Sequence, residues 1–217
     1  MYTGKYNNLE RFSSYLCQIK TICEKSPKRI LEIGIGNKVV SNYLREAGFS
    51  VTTCDLDKTL NPDIVADIRK MPFKDEEFDM VTAFEVLEHI PYSDVETGLK
   101  ELNRISSKTV VISIPFVTFA IYGKFKFLPF LHPLSFMFRV CEYFWHKHKF
   151  NGTHYWEMGT KGYSRKQLKK LIKDCGFEIK KELTPELNPY HYFFVLEKTS
   201  GSCSRFFSQL KFSETNR

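Results

Sequence analysis

The run Arg-Ile-Leu-Glu-Ile-Gly-Ile-Gly-Asn at positions 29–37 constrains this chain more than any other feature. Arg29 to Ile33 is a short apolar strand that enters Gly34 and Gly36 without a spacer. Val39 to Ala47 then reads as a helix, and Gly48 closes it. Glycines let a backbone approach a ligand closely. The helix N-terminus behind them offers free amide donors to that ligand. Two glycines alone fit many tight turns, so the residues at the following strand ends decide the matter.

Ser50 to Cys54 reads as the second strand and ends on Asp55. Asp63 to Ala66 is a short third strand that ends on Asp67, and Phe78 to Ala83 is a fourth, followed by Phe84 and Glu85. Lys108 to Ile114 is continuously apolar and β-branched, as a buried parallel strand should be. Helical spacing marks Leu9 to Cys23 through Leu9, Phe12, Leu16, Ile19 and Ile22. Ser93 to Ser106 is a second such segment with Ser93 as N-cap. Ser164 to Cys175 is a third, closed by Gly176. Phe177 to Glu182 and His191 to Glu197 form a final antiparallel pair around Pro185 and Pro189. This alternation predicts an α/β fold: a doubly wound, mostly parallel, seven-stranded Rossmann-like sheet with helices on both faces. Ligands bind such sheets outside the carboxyl ends of the strands. Asp55 lies about 20 residues beyond the glycine loop, where a carboxylate takes both ribose hydroxyls. Asp67 is placed to accept from an adenine amino group, and Phe84 and Glu85 line the same edge. One acid at a strand end is a common cap; four consecutive ends suited to a nucleoside are not explained by capping.

The segments LEIGIGN, TCDLD, ADIRKMPF and FDMVTAFEVLEHIP resemble the successive motifs of class I S-adenosylmethionine-dependent methyltransferases. The resemblance is nearest to the broad small-molecule group with Glu-Val-Leu-Glu-His after the fourth strand. It covers roughly Lys28 to Pro115, with a weaker echo in HYWEMGTKGYSRKQLKKLIKDCGFEI. It implies S-adenosylmethionine as cofactor, with Glu32, Gly34 and Gly36 at the methionine part and its amino group. Asp55 then holds the ribose, and Asp67 with Ile68 flanks the adenine. Lys38 stands where the family often has a third glycine. The spacing Glu-x-Gly-x-Gly, in place of Gly-x-Gly-x-x-Gly, argues against a dehydrogenase.

An oxygen acceptor needs a base or a metal to lose its proton. Glu85, Glu88 and His89 form Glu-x-x-Glu-His, and a helical turn there would set Glu85 with Glu88 or His89 on one face. His146, His148 and His154 follow. Three or four of these groups would suit a divalent ion. The ubiquinone-pathway O-methyltransferases and the small-RNA 3′-terminal 2′-O-methyltransferases resemble this arrangement. The same Glu-His pair is widespread in the group without metal, so no metal is assigned. His89 and His154 are the catalytic candidates, with His154 facing the acceptor.

After Pro115 the pattern breaks. Phe116 to Phe150 is crowded with aromatic residues, including Phe119, Tyr122, Phe125, Phe127, Phe130, Phe136, Phe138, Tyr143, Phe144 and Trp145, with basic residues interleaved and Glu142 the only acid. Such a segment suits a membrane boundary, a prenyl or aromatic pocket, or stacked single-stranded nucleic acid. A small helical cap with its own core is the plainer alternative. The formal charge of +7 favours an anionic partner. The expectation is one methyltransferase domain over 1–199, with 116–150 capping the acceptor pocket and a loosely held tail over 200–217 that carries Phe206, Phe207 and Leu210. The acceptor is expected to be a small, sugar- or lipid-linked molecule; RNA is the alternative partner, and a non-catalytic S-adenosylmethionine-binding protein is a third reading. None of the six cysteines forms a Cys-x-x-Cys pair, and the N-terminus has no apolar signal-peptide stretch. No run reaches the roughly 20 apolar residues of a membrane span. The expected place is the cytoplasm, with peripheral attachment to a membrane surface.

Overall fold

The computed structural model describes residues 7–127, 130, 134–142 and 146–199. The expected tail over 200–217, with Phe206, Phe207 and Leu210, lies outside the described residues, as do Tyr143, Phe144 and Trp145 of the aromatic segment. The chain runs α1 (Leu9–Cys23), β1 (Arg29–Ile33), α2 (Val39–Glu46), β2 (Ser50–Asp55), β3 (Ile64–Val65), β4 (Phe78–Phe84), α3 (Val95–Ile105), β5 (Ser106–Pro115), β6 (Thr118–Phe125), β7 (Leu134–Glu142), α4 (Arg165–Asp174), β8 (Phe177–Leu183) and β9 (His191–Lys198). Seven strands form one sheet in the order β3-β2-β1-β4-β5-β9-β8. β9 runs antiparallel to both β5 and β8, and the pairs from β3 to β5 are parallel. The order reverses between β1 and β4, and that switch point opens a crevice at the carboxyl ends of both strands.

Alternation along the strands divides two cores. Leu31, Ile33, Val81, Ala83, Val110 and Ile112 face α3 and α4. Ile30, Met80, Phe84, Val111 and Phe193 face α1 and α2. α3 holds its face through Val95, Leu99, Leu102 and Ile105, all fully buried at helical spacing. Each such side chain contributes about 1.5–3 kcal/mol by leaving water.

Three local expectations differ from the structure. α3 begins at Val95 and not at Ser93, because Tyr92–Asp94 winds first as a tighter 3-10 turn. Ser93 donates to Asp94 at 3.1 Å and caps nothing. On α1 the buried side is Ser14, Tyr15, Gln18, Thr21 and Ile22. Leu9, Phe12 and Leu16 are instead at least half exposed. Ser14 and Thr21 can face inward because their hydroxyls donate to the helix carbonyls of Glu10 and Cys17. The aromatic segment is no helical cap. It is an antiparallel β-ribbon of β6 and β7, outside the main sheet. Ile121 opposes Phe138, Gly123 opposes Phe136 and Phe125 opposes Leu134, so these apolar residues share one face.

Candidate functional site

The glycine loop leaves β1 under tight steric control. Gly34 has φ +78°, and a β-carbon there would meet Val86 Cγ2 at 2.4 Å. Its amide donates to the Cys54 carbonyl at 2.9 Å. Gly36 also takes positive φ, at 49°. Lys38, the residue in place of a third glycine, adopts the same left-handed conformation with φ 62°. That costs a side-chain-bearing residue roughly 1–2 kcal/mol. Lys38 Nζ donates to the Asn61 carbonyl at 2.9 Å, so its side chain lies toward the loop after β2.

Asp55 binds this loop directly. Its carboxylate accepts from the Ile35 amide and from the Asp57 amide, each at 2.9 Å. Glu32 sits on β1 just before the loop, 4% exposed, with Oε2 lacking any partner. Burial pushes its carboxyl up to about 7, against a hydrogen bond from Ser41 and the nearby Arg45 charge. An orphaned acid at this position fits a ligand that brings its own donors, as the ammonium of a methionine moiety does. Asp67 is turned onto Arg69, which donates to both of its oxygens at 2.6–3.1 Å. Hydrogen bonds from Arg69 hold Asp67 below the usual carboxylate range. Ile68 is buried beneath α3 near Gly98. Phe84 does not join the strand-end edge: its ring packs on Phe193 at 5.7 Å, in the core facing α1 and α2.

Past β4 the chain reverses through Glu85, whose φ is 54°. Ser113 donates to Glu85 Oε1 at 2.7 Å, and His191 Nε2 lies 3.5 Å from Glu85 Oε2. Burial raises the Glu85 carboxyl to about 8 and pushes the His191 imidazole down to about 3. Both partners are thus biased to their neutral forms. Glu88 sits on the next turn, fully buried, with neither carboxylate oxygen hydrogen-bonded. Burial first, and then the charges of Glu85 and Glu157, raise it well above the usual range.

Glu88, His89 and His154 come together, with their ligand atoms all within 4.8 Å of one another. The rings of His89 and His154 meet edge to face at 5.0 Å. His89 Nδ1 lies 2.9 Å from the Thr153 carbonyl, which only accepts, so Nδ1 carries the proton and Nε2 keeps its lone pair. His154 Nδ1 lies 2.8 Å from Glu157 Oε1, and Tyr190 donates to that same oxygen at 2.8 Å. His148 supports the cluster from behind, with Nε2 donating to the His154 carbonyl at 3.0 Å. His146 does not join; its carbonyl accepts from the Lys161 amide. The Glu85 side chain is not in the group with His89 and His154 and lies with Ser113 and His191 instead. Sequence reasoning singled out neither Glu157, His191, Tyr190 nor Ser113. Only Glu157 had a local signal, three residues after His154; the others arrive from β5, from the first residue of β9 and from the loop just before it.

The comparisons agree with this architecture. A family model described as a methyltransferase domain matches residues 31–112. No curated protein matches. Magnesium protoporphyrin IX methyltransferase from Synechocystis PCC 6803, solved with bound S-adenosylhomocysteine, is 15% identical; the alignment covers 92% of this chain and 91% of that one, with a TM-score of 0.60. The 1,6-didemethyltoxoflavin-N1-methyltransferase of Burkholderia thailandensis is 13% identical over 92% of this chain and 84% of that one, with a TM-score of 0.57. A small RNA methyltransferase is 13% identical over 88% of this chain and 25% of its own length, with a TM-score of 0.59. The chain has the class I S-adenosylmethionine-dependent methyltransferase fold. The fold and the family match support a catalytic methyltransferase.

Proposed function

We propose that this protein moves a methyl group from S-adenosylmethionine to a small, sugar- or lipid-linked acceptor, and that it works in the cytoplasm while attached peripherally to a membrane surface. The observation that carries the reading is the meeting of two sets of residues at one crevice. The glycine loop and Asp55 lie on one side. The His89–His154–Glu157 cluster lies on the other, near enough that the Asp55 charge acts on His89. Glu32, Gly34 and Gly36 take the methionine part, Asp55 the ribose, and Asp67 with Ile68 the adenine; Glu85 closes the crevice beyond β4. S-adenosylmethionine supplies an electrophilic sulfonium methyl. Residues of this chain align the acceptor in line with it, which alone lowers the barrier substantially. His154 Nε2 takes the acceptor proton, and Glu157 stabilises the imidazolium that results.

The β-ribbon covers the acceptor side as part of a single domain over 1–199. Among the described residues no helix is long and apolar enough to cross a membrane. Support for peripheral attachment comes from the outer ribbon face, where Phe119, Ile121, Phe125, Leu134 and Phe138 are each about half or more exposed. Leu9, Phe12 and Leu16 of α1 add a second apolar surface. The 184–190 loop links the two: Leu187 donates to Ser13 of α1, and Glu186 accepts from Tyr122 and Lys124 of the ribbon. Methyl transfer from labelled cofactor into fractionated cell extract tests the acceptor class; label in the lipid or small-molecule fraction is expected. Vesicle flotation tests attachment; failure to float with acidic vesicles at low salt would count against it.

A second reading has its own observation. The orphaned Glu88 beside His89 and His154 presents one oxygen and two nitrogen donors suited to a divalent ion. A metal-assisted RNA 2′-O-methyltransferase would use such a site. It predicts activity abolished by a chelator, restored by magnesium or manganese, and directed to RNA. Chelator-resistant transfer supports the base reading.

A further inference from the structure

A cavity of about 490 Å³ between the β-ribbon, the start of α4, the loop after β8 and Tyr192 of β9 plays no part in the reading above. Tyr122, Met137, Arg139, Arg165, Glu186 and Tyr192 line it. Arg139 reaches into it from β7. Its Nη2 donates to the Pro189 carbonyl at 2.8 Å and to Thr184 Oγ1 at 3.0 Å. Its guanidinium lies over the rings of Phe116 and Tyr192, at 4.8 and 5.3 Å. Nη1, however, is shut away from water with no acceptor. No carboxylate of the described residues comes within salt-bridge distance of Arg139. The acid that lines this cavity, Glu186, pairs with Lys124 at 2.9 Å, and Glu182, beside Arg165, pairs with Lys169 at 2.6 Å and accepts from the Tyr192 hydroxyl at 2.9 Å. A second guanidinium, Arg165, lies over the same Tyr192 ring at 5.9 Å and donates to its hydroxyl at 3.0 Å.

An unmet, desolvated guanidinium donor is costly to keep. Here the group is held over two rings and on a backbone carbonyl, so the fold keeps one donor for which it supplies no acceptor. A guanidinium N–H meets a phosphate oxygen in a charge-assisted hydrogen bond. We propose that this groove binds the phosphate group of the acceptor, with Arg139 as the principal ligand and Arg165 as the second. The inference rests on the methyl-transfer reading and sharpens it, because it assigns the acceptor a phosphoryl end. The groove also joins the reaction cluster. Arg139 holds Pro189, the next residue is Tyr190, and Tyr190 donates to the Glu157 that orients His154. A phosphate on Arg139 is thereby linked through Pro189 and Tyr190 to the Glu157 side of that cluster. A membrane lipid headgroup and a soluble phosphate ester present the same oxygens to this site.

The test measures binding of two probes to the full chain: glycerol 3-phosphate in solution, and phosphatidylcholine vesicles with and without phosphatidic acid. Wild-type protein should bind at least one phosphate probe, and Arg139→Met should weaken that binding by about tenfold or more. Binding of S-adenosylhomocysteine to the same variant should be unchanged. Preference for glycerol 3-phosphate assigns a soluble acceptor, and preference for phosphatidic acid vesicles assigns a lipid. If Arg139→Met does not fold, Arg139→Lys serves, since it keeps the charge but cannot hold Pro189 and Thr184 and still present the Nη1 donor; a clear reduction is still expected. Binding of neither probe by wild-type protein, or equal binding by wild-type and variant proteins, overturns the groove assignment. Failure of wild-type protein to bind S-adenosylhomocysteine would instead overturn the methyl-transfer reading beneath it.

Discussion

The carboxylate of Asp55 accepts a hydrogen bond from the backbone amide of Ile35 at 2.9 Å, so the end of β2 fixes the centre of the glycine loop that leaves β1. The same carboxylate holds the Asp57 amide and thereby the turn that follows β2. One side chain shapes both walls of the crevice before any ligand arrives. Asp55→Ala removes two charge-assisted bonds and leaves the Ile35 amide without its acceptor. The expected loss is about 2 kcal/mol, which for a chain of this size lowers the thermal midpoint by roughly 4–8 °C. A melting curve without cofactor checks it.

Gly34 allows no side chain. Its φ of +78° strains any residue with a β-carbon, and that carbon would lie 2.4 Å from Val86 Cγ2. Gly34→Ala should cost about 2–4 kcal/mol from the strain and the clash together. Adding Val86→Ala removes the clash and leaves the strain, so the double variant should recover only part of the loss. Full recovery would show that backbone strain contributes nothing here.

Glu32 makes stability and cofactor binding depend on pH in opposite senses. Its carboxyl is raised from an ordinary 4.5 to about 7 by burial. Between those values the native protein holds a proton that the unfolded chain has released. The associated stability is fully present below about pH 4.5, falls as pH rises, and is gone once pH passes about 7. Glu32→Gln removes this slope and should be more stable than wild type at about pH 8, by roughly 3 kcal/mol without cofactor. S-adenosylhomocysteine, whose ammonium favours the ionised acid, should bind wild type more tightly at about pH 8 than at about pH 6. Denaturant midpoints and titration calorimetry at both pH values test the two halves separately.

His154 Nδ1 lies 2.8 Å from Glu157 Oε1, the contact on which the proposed base role rests. His154→Ala should lower turnover by about 10²–10⁴-fold, the range of general-base catalysis, while leaving cofactor affinity unchanged. Glu157→Gln should have a smaller effect on turnover and shift its pH profile, because it alters the imidazolium and leaves the imidazole in place. Unchanged turnover in His154→Ala removes the base from the mechanism and leaves positioning as its source.

The sheet was legible because its signals are local. Apolar runs mark the strands, and Gly34, Asp55 and Asp67 fall at strand ends regardless of what packs around them. What needed coordinates was sidedness and partnership. Phe84 follows an apolar run like any edge residue, yet strand alternation sends its ring into the core with Phe193. The α1 stripe of Leu9, Phe12 and Leu16 has helical spacing, but Ser14 and Thr21 can satisfy their own hydroxyls and so take the buried side. Lys38 gives no sequence sign of its left-handed backbone. The ribbon was hidden because crowded aromatic residues suit a helix or a strand alike. Glu157, Tyr190, His191 and Ser113 gather from separated segments, and no spacing along the chain predicts that.

Calorimetric titration of the full chain with S-adenosylhomocysteine tests the account most directly. It predicts saturable binding at one site, weakened by about tenfold or more in Asp55→Ala. No binding by folded wild-type protein, or equal binding by the Asp55→Ala variant, would contradict the placement of the methyl donor on this loop.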